Sequence, residues 1–154
     1  MTVYFLDSSA LVKRYVAETG TAWIQALAVP SAHNSLLISR ITWVEVLSAL
    51  ARRQREGSLP PASVIRAIQS FRYDLDTQYR VVEVDRELAE AASKLVGKHP
   101  LRAYDAIQLA SALRVQPAFT RSRSASLVFL AADNRLLANA QAEGMVTDNP
   151  NHHI

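Results

Sequence analysis

The 154-residue chain contains no cysteine. That excludes disulfide scaffolds, thiolate zinc sites, iron–sulfur clusters and cysteine nucleophiles, and it agrees with a reducing compartment. No apolar run approaches the ~20 residues that cross a bilayer. The early run Val3-Tyr4-Phe5-Leu6 is too short for the core of a secretion signal. A cytoplasmic protein without a membrane segment is therefore expected. No repeat, linker or low-complexity tract interrupts the chain, and its length leaves room for little beyond one domain. Neither sign of charge dominates: 17 Lys and Arg against 14 Asp and Glu give a formal +3, too small by itself to indicate nucleic acid. What is present, 49% hydrophobic and 20% charged residues, is the make-up of a folded globular protein.

Short apolar runs alternate with helical patterns. Thr2–Leu6, Ser35–Ser39, Arg80–Val84 and Leu127–Ala131 read as strands, and Met145-Val146-Thr147 as an edge strand. Helices are expected from Ser8, over Thr21–Val29 and Ile41–Arg55, from Pro60-Pro61 to Thr77, over Arg86–Val96 with Gly97 closing it, over Leu101–Val115, and from Asp133 to Glu143. Gln116–Ser126 reads as an exposed basic loop. Strands joined by helical crossovers imply parallel pairing. The expected fold is a three-layer α/β/α sandwich with a mainly parallel sheet of four to five short strands over residues 1–147, followed by a tail, 148–154, in which His152 and His153 are frayed. Ligands of such sheets bind beyond the carboxyl ends of the strands.

Four acids stand in apolar company. Asp7 and Asp133 each follow a buried strand directly, although either could simply cap the helix after it. Glu45 is the sole charge in Ile41-Thr42-Trp43-Val44-Glu45-Val46-Leu47, and Asp105 shares a helical face with Leu109 and Ala112. For Asp105 the plainer explanation is a pairing with Arg102. The remaining acids, including Asp74, Asp76, Glu83 and Glu143, read as surface charge. Should the four converge at ~6 Å, each pair repels by nearly ~3 kcal/mol at an effective dielectric of ~20, about 15 kcal/mol in all. That matches the whole stability of a domain, about 5–15 kcal/mol. Protons or a divalent cation must then relieve the cluster, and donors that are all hard oxygens select Mg²⁺ or Mn²⁺. Ser9 could add a hydroxyl to that shell. With four acids set apart, 17 Lys and Arg face ten acids, a formal +7 that suits a polyanion. Arg52, Arg53, Arg121 and Arg123 are the candidate nucleic-acid-binding residues; solvated surface charge is their plainer reading, as it is for Lys98, His99 and Arg102.

The order Asp7 with Ser9, then Ile41-Thr42-Trp43-Val44-Glu45, then Tyr104-Asp105-Ala106-Ile107-Gln108-Leu109-Ala110, then Ala132-Asp133-Asn134-Arg135-Leu136 resembles the PIN domain, most closely VapC-type toxins of bacterial type II toxin–antitoxin modules. The resemblance spans Val3 to about Val146. It implies an Mg²⁺- or Mn²⁺-dependent endoribonuclease with Asp7, Glu45, Asp105 and Asp133 as its acidic residues, a homodimer, and a VapB-like antitoxin partner. Two features depart from the common pattern: Ala131-Ala132 precedes Asp133 where relatives often carry a hydroxyl residue, and the Gln116–Ser126 segment is unusually basic. The rival reading is a PIN-like non-catalytic RNA- or protein-binding module. A phosphatase with Asp7 as nucleophile is disfavoured, because Ser9 stands where such enzymes carry a second aspartate.

Overall fold

A computed structural model describes residues 1–121 and 125–154. Five strands, β1 (Thr2–Leu6), β2 (Ser35–Ser39), β3 (Arg80–Val82), β4 (Ser126–Leu130) and β5 (Val146–Asp148), form one sheet in the order β3-β2-β1-β4-β5. Every pairing is parallel. The expected sandwich is thus present, with all five strands parallel.

Strand alternation builds two cores. Val3, Phe5, Leu127 and Phe129 point to the face covered by α5 (Arg86–Lys98), α6 (Ala103–Thr120) and α7 (Asn134–Ala142). Leu6, Leu36, Ile38 and Leu130 face α1 (Ser8–Leu11), α2 (Thr21–Ala28), α3 (Ile41–Arg55) and α4 (Pro61–Thr77). Fully buried Phe5 stacks on Phe129 at 5.8 Å, and in the other layer half-buried Trp43 stacks on fully buried Phe71 at 5.1 Å. Such burial of large side chains contributes roughly 1.5–3 kcal/mol each.

Strand order reverses at β1, which has β2 on one side and β4 on the other. Residues just beyond Leu6 and Leu130 therefore occupy the crevice where open parallel sheets bind ligands. Asp7 and Asp133 are those residues, and Asp7 N–H still donates to Leu130 C=O at 3.0 Å.

Four local expectations are corrected. Helix α6 runs on to Thr120 through Pro117, so residues 116–120 of the expected 116–126 loop are helical, and Ser126 already belongs to β4. Val115 and Phe119 pack against the core, and that burial offsets the hydrogen bond proline cannot make. Gly97 does not end α5, which continues to Lys98. Asp74 is not surface charge: with Arg14, Tyr15 and Tyr79 it forms a half-buried polar network, Tyr15 Oη donating to Asp74 Oδ2 at 2.6 Å. Finally, residues 149–153 are not frayed. Asn149 and Pro150 are buried, and the His153 ring stacks on Trp23 at 3.9 Å while Nε2 contacts the Asp148 carboxylate at 3.0 Å. Gly20, with φ of +86°, makes room for this packing: a Cβ there would lie 2.3 Å from the Pro150 carbonyl oxygen.

Candidate active site

Asp7 is the deepest of the four acids. Only 3% exposed, it caps α1, its Oδ1 accepting from Ser9 Oγ at 2.7 Å and Ala10 N–H at 3.0 Å. Among the described residues no donor is aimed at Oδ2. Burial pushes the Asp7 carboxyl up to about 7; the Ser9 and Ala10 hydrogen bonds oppose this, and the charges of Glu45 and Asp105 add to it. Three of the expected acids therefore lie within electrostatic reach of one another. Ser9 also accepts from Ala132 N–H at 2.9 Å, tying the end of β1 to the end of β4.

Glu45 comes from the second turn of α3, which starts two residues after β2 ends. Burial raises its pKa, with hydrogen bonds from Gln108 and Ser8 acting against it and Asp105 reinforcing it. Gln108 Nε2 donates to Glu45 Oε1 at 2.6 Å and to Thr42 Oγ1 at 2.9 Å. Facing two acceptors, that end of the amide must carry the nitrogen. The other end, Oε1, is buried without a partner. Gln108 lay inside the motif but received no role from sequence; an uncharged residue at a buried position of a helix was the available signal.

Asp105 and Asp133 share one guanidinium. Arg102 Nε donates to Asp105 Oδ2 at 3.0 Å, and its Nη2 lies 3.6 Å from Asp133 Oδ2. Asp133 also caps α7, accepting from Arg135 N–H at 2.9 Å. The pairing with Arg102 foreseen for Asp105 is thus present and extends to a second acid.

The acids do not line a single cavity. One cleft of about 620 Å³ is lined by Ser8, Ser9, Lys13, Glu45, Arg52 and Arg102, and another of about 310 Å³ by Asp105, Asp133 and Arg102. Arg102 lines both. Among the described residues no three carboxylates form a ready-made cation-binding triad. The donor set nevertheless fits a hard divalent ion: oxygens only, a buried carboxylate with a proton-holding tendency, and an oxygen of Asp7 left free. A further cavity, about 1000 Å³ between α2 and α4, contains none of the four acids.

Two basic expectations change. The Arg53 guanidinium pairs with Glu18, which also holds Lys13 at 3.1 Å, so Arg53 is not a free cation. Arg121 caps the far end of α6, sixteen residues from Asp105 and hence about 24 Å along the helix. It cannot share a phosphate with that site. Arg52 does line the Glu45 cleft, while Arg123 lies outside the described residues. No helix among the described residues is long and apolar enough to cross a membrane.

Comparison with known proteins bears on the family and the fold. The PIN domain family profile matches residues 4–141. Ribonuclease VapC45 and ribonuclease VapC49, both of Mycobacterium tuberculosis, are each 33% identical over 144 residues, 94% of this chain and 93% of theirs. In fold, the chain is similar to VapBC2 from Rickettsia felis bound to a DNA fragment from its promoter, with a TM-score of 0.63 and 10% identity over 96% of this chain and 98% of that one. With the profile matched over residues 4–141 and two relatives 33% identical over 94% of its length, the chain belongs to the PIN domain family.

Proposed function

We propose that this protein is an Mg²⁺- or Mn²⁺-dependent endoribonuclease and the toxin of a VapBC-type module. The observation carrying the proposal is the buried Asp7 carboxylate at the end of β1, with the charges of Glu45 and Asp105 turned toward it. The names of the two ribonuclease relatives support the substrate class.

Asp7, Glu45 and Asp105 would hold the principal ion, and Asp133 would complete the site. When bound, the ion supplies positive charge at the phosphodiester and acidifies the attacking water. Ser9 fixes the Asp7 carboxylate and, through Ala132, the spacing of the two strand ends. Glu45, which lines the larger cleft, takes the proton of the attacking water as the phosphorus–oxygen bond to the leaving nucleotide breaks. Arg52 on the same cleft wall bears on the RNA backbone.

Residues 1–147 form the single domain that carries this chemistry, and residues 148–154 are its ordered margin. A VapB-like antitoxin is the expected protein partner and a homodimer the expected assembly, acting in the cytoplasm. The toxin–antitoxin setting of structural neighbours supports the antitoxin. Val44, Ile65 and Tyr73, apolar side chains left exposed on α3 and α4, offer surface for such contacts.

The test is cleavage of RNA by wild type and Asp7→Asn, each with Mg²⁺, Mn²⁺ or EDTA. Cleavage by wild type that both the substitution and the chelator abolish is expected. Activity that survives both overturns the proposal, and uptake of Mn²⁺ without any cleavage would instead favour a non-catalytic binding module.

A further inference from the structure

Arg102 is the one residue common to the two clefts that contain the acids. It stands at the N-terminus of α6, three residues before Asp105, with its side chain 64% exposed while that of Asp105 is 14% exposed. Its grip is loose in geometry. Each carboxylate receives a single nitrogen, Asp105 from Nε at 3.0 Å and Asp133 from Nη2 at 3.6 Å, and neither is held in the two-point fork that makes strong guanidinium–carboxylate pairs. A solvated pair of this kind contributes little to stability. The acids it joins are less exposed than Arg102 itself, 14% for Asp105 and 32% for Asp133, so a positive charge between them is favourable. The Tyr104 ring, 5.1 Å from the guanidinium carbon, gives Arg102 a neighbouring face on which to rest.

From this geometry we infer that Arg102 is an exchangeable internal cation: it bridges Asp105 and Asp133 in the metal-free protein and is expelled from their oxygens when a divalent ion binds. The inference rests on the metal site proposed above and adds a competitor encoded in the chain itself. Exchange moves the side chain that lines both clefts, so that Glu45 in one and Asp105 with Asp133 in the other can address the same ion. It also releases a planar guanidinium at the mouth of the larger cleft, where a phosphodiester oxygen is the natural acceptor.

Calorimetric titration with Mn²⁺ tests this on wild type, Arg102→Gln, Arg52→Gln and Asp7→Asn. Arg102→Gln should bind Mn²⁺ about three- to tenfold more tightly than wild type, because no internal cation has to leave. Arg52→Gln, which removes the same charge from the cleft wall, should bind like wild type within about twofold. In parallel, the Arg102 Nε–H resonance, identified by its loss in Arg102→Gln, should move when Mg²⁺ is added to wild type and stay in place in Asp7→Asn. Unchanged or weaker Mn²⁺ binding by Arg102→Gln, equal tightening in Arg52→Gln, or a resonance that does not respond to saturating Mg²⁺ overturns the exchange while leaving the metal site standing. A wild type that takes up no Mn²⁺, or takes it up equally well with Asp7→Asn, removes the metal site itself and the exchange with it.

Discussion

Gln108 on α6 reaches across to α3 and donates to Glu45 Oε1 at 2.6 Å, 63 positions away in the chain. This bond, with the second to Thr42, fixes Glu45 in the larger cleft between two helices from opposite faces of the sheet. Gln108→Ala should therefore cost about 1–3 kcal/mol of stability, since Thr42 and Glu45 lose a buried donor. It should also raise the Glu45 pKa further, because the lost bond favours the ionised carboxylate. Chemical denaturation reads the first effect. The second appears as an upward move of the acidic limb of the cleavage pH profile.

Asp7 makes metal-free stability depend on pH. Its carboxyl is held up near 7, against an ordinary 3.8, so the native state keeps a proton that the unfolded chain gives up. Stability from this group is complete below about pH 4 and declines as pH rises to 7, by at most about 4 kcal/mol. In EDTA, wild type should melt at a lower temperature at pH 8 than at pH 5. Asp7→Asn keeps a residue suited to the cap and should flatten that slope. If the slope persists in Asp7→Asn, other groups are its source.

The two ends of the basic surface should behave differently. Arg52→Ala, in the cleft wall, should weaken RNA binding and reduce the salt dependence by about one ion. Arg121→Ala, about 24 Å down α6 from Asp105, should leave cleavage at the active site unaltered. Binding titrations at several salt concentrations, set beside cleavage rates, separate the two.

Gly20→Ala should destabilise the protein by at least about 2 kcal/mol. The backbone there is left-handed and the new methyl would meet the Pro150 carbonyl at 2.3 Å. His153→Ala should cost less, about 0.5–1.5 kcal/mol, because only its stack on Trp23 and its contact with Asp148 are lost. A thermal melt in which Gly20→Ala is as stable as wild type would show that residues 149–153 do not hold the position described.

Sequence by itself determined the alternation of strands and helices and, with it, the positions of Asp7 and Asp133 at strand ends. Both follow from local apolar periodicity, which acts over a few residues and sets burial directly. Glu45 and Asp105 were legible for the same reason, as charges on otherwise apolar faces. Helix ends were read less well: the polar, basic stretch after Val115 looked like a loop, yet α6 continues to Thr120 because Val115 and Phe119 pack against the core.

Tertiary structure alone decided the partners. Arg53 with Glu18, Gln108 with Glu45, and Arg102 between Asp105 and Asp133 depend on how helices meet over the sheet. A pattern with a period of two or 3.6 residues says which face of an element is buried, not which side chain of another element lies opposite. The acids were therefore visible in the chain, whereas the guanidinium that holds two of them, and the division of their crevice into two clefts, exist only once α6 and α7 are packed.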